Sequence, residues 1–186
     1  MTKSLAALFA ALTVGLSGAA HAGTVSFSYD ASFGGVSITA AGFMQISDVA
    51  DVDGSFVVLD IDGTRTVDGD VQDITGVASG GNFLFDNKLF LDPALNNGLY
   101  FNLYGLLYTT TSALSGLHTV NVFDNFNGAY GTPAGYGEAS SPANPAFNPV
   151  AYVTNLQIQQ VPEPGSLALV GLALLGATAA GRRSRA

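Results

Sequence analysis

Between residues 23 and 160 the dominant spacing of apolar side chains is two, in short runs interrupted by Gly, Asp, Asn and Pro. Alternation sends successive side chains to opposite faces of an extended chain, so such runs predict half-buried β-strands. Val25-Ser26-Phe27-Ser28-Tyr29 alternates without a break, and the run from Tyr152 to Gln159 puts Tyr152, Leu156 and Ile158 on one face. Further strands are predicted near 36–46, 55–60, 71–77, 82–91, 98–111 and 118–123. Asp53-Gly54, Asp62-Gly63, Asp68-Gly69 and Asn97-Gly98 read as tight turns, since Gly accepts the positive φ that such turns need. The stretch 125–149 holds Gly128, Gly131, Pro133, Gly135, Gly137, Pro142, Pro145 and Pro149, and is predicted to be a surface loop. No amphipathic helical stretch competes. About eight to ten short strands at this spacing predict an all-β domain, an antiparallel β-sandwich or jelly roll.

The pattern changes at both ends. Residues 1–22 have a basic start at Lys3, an apolar stretch over 5–16 and the small-residue site Ala20-His21-Ala22. That is the build of a signal peptide cleaved before Gly23 by signal peptidase. At the other end, two prolines within Val161-Pro162-Glu163-Pro164-Gly165 bar a strand or helix from continuing. The charge-free run 167–180 follows, then Arg182, Arg183 and Arg185. Those fourteen residues make roughly 21 Å of helix, against a hydrocarbon core of roughly 30 Å, so a short transmembrane helix is expected over 166–181. The arginines after it favour a cytoplasmic end, and the cleaved signal puts the domain across the membrane. The organisation expected is therefore 1–22 signal peptide, 23–160 β-rich ectodomain and 161–186 tail, with 161–165 as motif, 166–181 as helix and 182–186 as basic end.

The order of a Pro-Glu-Pro motif at Pro162-Glu163-Pro164, an apolar run and terminal arginines resembles the tail of the PEP-CTERM proteins. The resemblance covers about the last twenty-six residues. It implies an exosortase that recognises the tail, cleaves near it and passes the protein outward, in Gram-negative bacteria that make exopolysaccharide. It further implies a single-pass intermediate in the inner membrane, then a cell-surface or extracellular-matrix location. The same tail occurs on some ice-binding proteins, and the 56–99 stretch is loosely similar to β-rich ectodomains of no assigned activity often attached to it.

Charge narrows the partners. Outside the two ends only Arg65 and Lys88 are basic, against twelve Asp and Glu138, so residues 23–160 carry a formal charge of −11. No cluster of Lys and Arg exists to neutralise phosphates, which excludes nucleic acid as a partner. Cations, neutral polysaccharide or a basic protein surface suit this field better. The absence of cysteine leaves the redox compartment open.

The chemistry-bearing residues are sparse, and no cofactor is expected. Asp51-Val52-Asp53-Gly54 and Asp60-Ile61-Asp62-Gly63 offer alternating oxygen ligands, making Asp51, Asp53, Asp60 and Asp62 weak calcium candidates. Neither run completes an EF-hand loop, since Arg65 and Phe56 stand where its glycine is required. After export the one histidine is His118, no G-x-S-x-G elbow occurs, and zinc lacks a ligand set. No catalytic residue is assigned and no enzyme activity is expected. Paired Asp carboxylates leave a polysaccharide hydrolase as one alternative. A carbohydrate-binding module or adhesin is another, requiring exposed tyrosines among Tyr100, Tyr104, Tyr108, Tyr130 and Tyr136. Tyr100, Tyr104 and Tyr108 recur at four-residue spacing on one predicted strand face. Thr109-Thr110-Thr111 is an isolated cluster, too little for an ice-binding array. The reading these observations favour is a structural, non-enzymatic component of the cell surface or exopolysaccharide matrix.

Overall fold

A computed structural model describes residues 23–78, 85–125, 135–141 and 150–162. The strands are β1 (Gly23–Phe33), β2 (Val36–Ile46), β3 (Phe56–Val67), β4 (Asp70–Val77), β5 (Lys88–Leu89), β6 (Leu106–Ser112), β7 (Gly116–Asn125), β8 (Gly135–Ser141) and β9 (Val150–Gln160), with one turn of 3₁₀-helix at Pro93–Asn96. All pairings are antiparallel. The ring runs β2-β1-β9-β8-β7-β6-β4-β3 and closes through β2–β3. Eight strands thus form a closed up-and-down barrel, with β5 appended to β3.

The all-β antiparallel expectation holds, but the sandwich or jelly roll gives way to this barrel. Each strand pairs with the next strand of the barrel in sequence, and the first and last, β1 and β9, seal the ring from Val25↔Gln160 to Ser32↔Tyr152. Closure removes the free edges that an open sheet would have to protect. It requires sharp local coiling, which glycine supplies. Gly42 and Gly63 face each other across β2 and β3. A Cβ on Gly42 would lie 1.9 Å from the Asp62 carbonyl oxygen, and one on Gly63 would lie 2.2 Å from that of Ala41. Asp62-Gly63, expected as a turn, is therefore a bend inside β3.

Two further expectations are corrected. The 125–149 segment is not all loop: Gly-Tyr-Gly-Glu-Ala-Ser-Ser forms β8, a full member of the wall. Its small residues admit close neighbours, since a Cβ on Gly137 would sit 2.9 Å from Val150 Cγ1 and 3.1 Å from Phe123 Cζ. In β9, Tyr152 does not share a face with Leu156 and Ile158. A bulge opposite Ser28 and Asp30, with Asn155 at φ 53°, shifts the alternation by one residue, so that Ala151 and Val153 point inward before it and Leu156 and Ile158 after it.

The barrel has two unlike ends. Gly34-Gly35, Asp68-Gly69 and the 113–115 turn lie at one, where strands β1, β3 and β6 finish. The other holds the β2–β3 connection, the excursion from β4 to β6, Gly23 and the exit of β9. There Leu89 and Phe101 enter the core beside Leu106 and Val122, and Phe101 meets Tyr136 edge to face with centroids 6.4 Å apart. Asn87 and Asn96 fasten this plug. Asn87 Oδ1 accepts from the Leu107 N–H at 2.8 Å, and Asn96 Nδ2 donates to the Phe101 carbonyl at 3.0 Å. Among Phe27, Met44, Ile61, Tyr108 and their neighbours only about 10 Å³ stays empty, room for no more than about one water. Among the described residues no helix is long and apolar enough to cross a membrane, and the expected signal peptide at 1–22 and helix at 166–181 lie outside them.

Candidate functional site

Above the apolar floor the lumen turns polar. Arg65 on β3 and Glu138 on β8 sit at inward positions of their strands and are only 2% and 1% exposed. The two strands are four places apart in the eight-membered ring, so the pair reaches straight across the barrel. Arg65 Nη2 donates to Glu138 Oε1 at 2.5 Å, and its Nη1 donates to Gln72 Oε1 at 2.7 Å. Tyr29 on β1 and Tyr108 on β6, also four places apart, bring their hydroxyls to 2.6 Å. Tyr29 donates to Glu138 Oε2 at 2.5 Å, joining the two diameters into one cross-brace. Burial is the largest single influence on Arg65 and acts against its charge, but the Glu138 carboxylate, its hydrogen bond and the two phenols together raise the guanidinium further. Burial, then the same carboxylate, pushes both phenols well above their ordinary values.

The brace floors a mouth of about 260 Å³ at the open end, bounded by Phe33, Val36, Val67, His118 and Ser140 among others. Its rim is clipped by Asp70, which accepts from Ser112 Oγ at 2.5 Å, Ser115 Oγ at 2.6 Å and Gln72 Nε2 at 3.1 Å. Those hydrogen bonds hold the Asp70 carboxyl below its usual range. Among the described residues the buried atoms Arg65 Nε and His118 Nε2 find no hydrogen-bond partner.

A second concavity runs along the outside of β9, β1, β2 and β3. It comprises two adjoining hollows of about 520 and 420 Å³, which share Ser28, Ala41, Thr64 and Gln157. Gly42 and Gly63 leave bare backbone on its floor, and the half-exposed ring of Phe43 stands beside them. Gln157, Gln159 and Asn155 supply amides, while Ser28, Thr39 and Thr64 supply hydroxyls.

The candidates read from sequence are scattered. Asp51 and Asp53 are brought together, but around Lys88 Nζ, at 3.0 and 2.9 Å. Ser55 also donates to Asp53 through both Oγ and N–H, and these bonds with Lys88 hold the Asp53 carboxyl far below its usual range. Asp60 accepts from its neighbour's N–H at Ile61 and Asp62 lines the furrow, so the four do not converge. Among the described residues no group of three His, Cys, Asp or Glu could hold a metal ion. The Tyr100–Tyr104–Tyr108 face does not form, because the strand begins only at Leu106. Tyr108 is buried in the lumen, Tyr104 is exposed, and the Tyr100 N–H donates to Tyr136 Oη at 2.5 Å. Burial pushes the Tyr136 phenol up to about 12. Tyr130 lies outside the described residues. Thr110 is buried on Gln72 while Thr111 faces outward, so the three threonines present no common face. Sequence reasoning missed Arg65 and Glu138 as partners. Their signal was rarity: Glu138 is the one Glu, and Arg65 the one Arg, within residues 23–160.

The barrel ends where the punctuated tail begins. The Val161 N–H donates to the Thr24 carbonyl at 2.9 Å, and Pro162 follows at once. The PEP-CTERM protein-sorting motif matches residues 160–185. The chain carries a PEP-CTERM sorting motif. Such a motif marks an exported cell-surface protein that is membrane-anchored and then processed by an exosortase. Val161, Pro162, Glu163, Pro164, Gly165, Arg182, Arg183 and Arg185 all fall within the match. No curated protein and no solved structure matches the chain.

Proposed function

We propose that the processed protein is a non-enzymatic surface component that lies along neutral polysaccharide of the extracellular matrix, held in the outer furrow. The observation that carries this reading is the glycine-floored furrow. It is long, open at the side and lined by amides, hydroxyls, the carboxylates of Asp30 and Asp62 and the half-exposed ring of Phe43, so a polymer can enter it without presenting an end. Side-chain amides and hydroxyls hydrogen-bond sugar hydroxyls, and the ring of Phe43 offers an apolar platform for the face of a pyranose. The acidic field disfavours an anionic polymer, which points to a neutral one. Against a hydrolase stands the engagement of Glu138, whose two oxygens are both taken by the brace. The layout belongs to the same reading, with a signal removed between Ala22 and Gly23 by signal peptidase, the 23–160 barrel, and the 161–186 tail.

The test is retention on matrix polysaccharide purified from an exosortase-bearing host. Wild type is expected to co-sediment with it, and Phe43→Ala with Gln157→Ala to lose most of that retention at an unchanged melting temperature. Equal retention of the double variant, or release of new reducing ends by the wild type, would refute the reading.

A further inference from the structure

The loops at the plugged end carry exposed apolar side chains. Val49 and Val52 stand in the β2–β3 connection, Leu95 on the 3₁₀ turn, and Leu103 and Tyr104 just before β6. Val52 is fully exposed, and Leu95 lies over the neighbouring loop, its Cδ1 2.6 Å from where a Cβ on Gly54 would be. Phe33, Leu114 and Leu117 are exposed at the opposite end, so apolar exposure by itself does not single out one face.

The tether does. Val161 is hydrogen-bonded to Thr24 on the plugged end, and the expected helix begins at position 166. Five residue steps cover at most about 18 Å of extended chain. While the tail is inserted, the plugged end therefore faces the bilayer at close range, and the open mouth faces away from it. We propose that in this anchored state the barrel stands on the membrane through Val49, Val52, Leu95, Leu103 and Tyr104, which enter the headgroup region. Apolar and aromatic side chains on a surface loop gain by leaving water there, and Tyr suits the interface with its polar tip. Asp48, Asp51, Asp53 and Asp92 surround them, and Lys88 is the one Lys or Arg at that end among the described residues. The surface is thus matched to zwitterionic lipid and repelled by anionic lipid. Mouth and furrow stay free for outside partners, and processing by the exosortase releases the contact. The proposal rests on insertion of the sorting tail.

The chain has no cysteine, so single labels are clean. Val52→Cys, Leu95→Cys, Leu103→Cys and, at the far end, Leu114→Cys are spin-labelled in the full-length protein, which is reconstituted in phosphatidylcholine vesicles and floated. Collision with oxygen, which concentrates in lipid, is compared with collision with a water-soluble nickel chelate. The expected oxygen-to-nickel ratio is severalfold higher at 52, 95 and 103 than at 114, and it falls when phosphatidylglycerol is added. Floating protein with four equal ratios overturns the standing geometry alone. Labels shielded from both reagents would mean that protein covers the face, and would overturn it too. A chain that fails to float overturns this proposal together with the anchoring it depends on.

Discussion

The two ends of the barrel are built from the same alternating strands but filled in opposite ways. At the end from which the sorting motif leaves, Leu89 and Phe101 close the lumen with apolar bulk, Asn96 holds the plug together and Asn87 ties it to β6. At the other end the inward positions of β3, β4 and β8 carry Arg65, Gln72 and Glu138, and the barrel stays open. Apolar filling yields stability in proportion to the area buried. Polar filling yields none unless each group is paired, yet it fixes which strands face each other across the ring. The plugged end holds the fold beside the sorting motif, and the braced end carries a polar mouth.

The sharpest way to break that contrast is to unpair the brace. Glu138→Leu or Arg65→Met alone is expected to cost about 3–5 kcal/mol in urea unfolding, because a buried charge is left without its partner. The double substitution should recover most of that loss. Equal losses that simply add would mean that the two residues do not act as a pair. Gly42→Val attacks the closure of the wall rather than its filling. With backbone 1.9 Å from the new Cβ, it is expected to cost about 3 kcal/mol, the upper range for overpacking, read as a lower melting temperature.

A pH titration separates the braced lumen from the surface. Tyr29 and Tyr108 keep their protons in the folded state above the pH at which the unfolded chain loses them, and Tyr136 does so up to about 12. The folded state then binds more protons than the unfolded one, so stability falls as pH rises above about 10. Tyr29→Phe together with Tyr108→Phe should flatten that fall. Asp53 and Asp70 have the opposite sign: their depressed values contribute stability above about 4 that is lost as pH drops below it. The smallest expected effect is at the loops of the plugged end. Lys88→Met and treatment with a calcium chelator should each leave the melting temperature nearly unchanged, the first because a solvent-screened surface pair contributes little and the second because Lys88, rather than an ion, sits between Asp51 and Asp53.

Much of the wall was legible from alternation. The predicted 36–46 strand coincides with β2, and β1, β4, β7 and β9 differ only by their ends. Local signals failed where one residue type serves two purposes. Asp62-Gly63 has the composition of a turn, but its glycine is needed for close approach to Gly42, a contact decided by the neighbouring strand β2. β8 has little β-branched or aromatic content because its neighbours fill the space, so it reads as loop. Closure itself depends on β1 meeting β9 across more than a hundred residues, which no local period reports. The sorting motif was legible in full because it is contiguous, whereas the brace is assembled from residues 29, 65, 108 and 138.

Whether the sorting machinery releases a closed barrel at its own seam can be read from the intact mass of the protein recovered from the surface or medium of an exosortase-bearing host. The expected species starts at Gly23, keeps Val161 and has lost the apolar run and arginines, and a host without the exosortase should yield no such species. A mass that retains 166–186 in both hosts, or one that ends within β9 and so removes the strand that seals the ring, would contradict it.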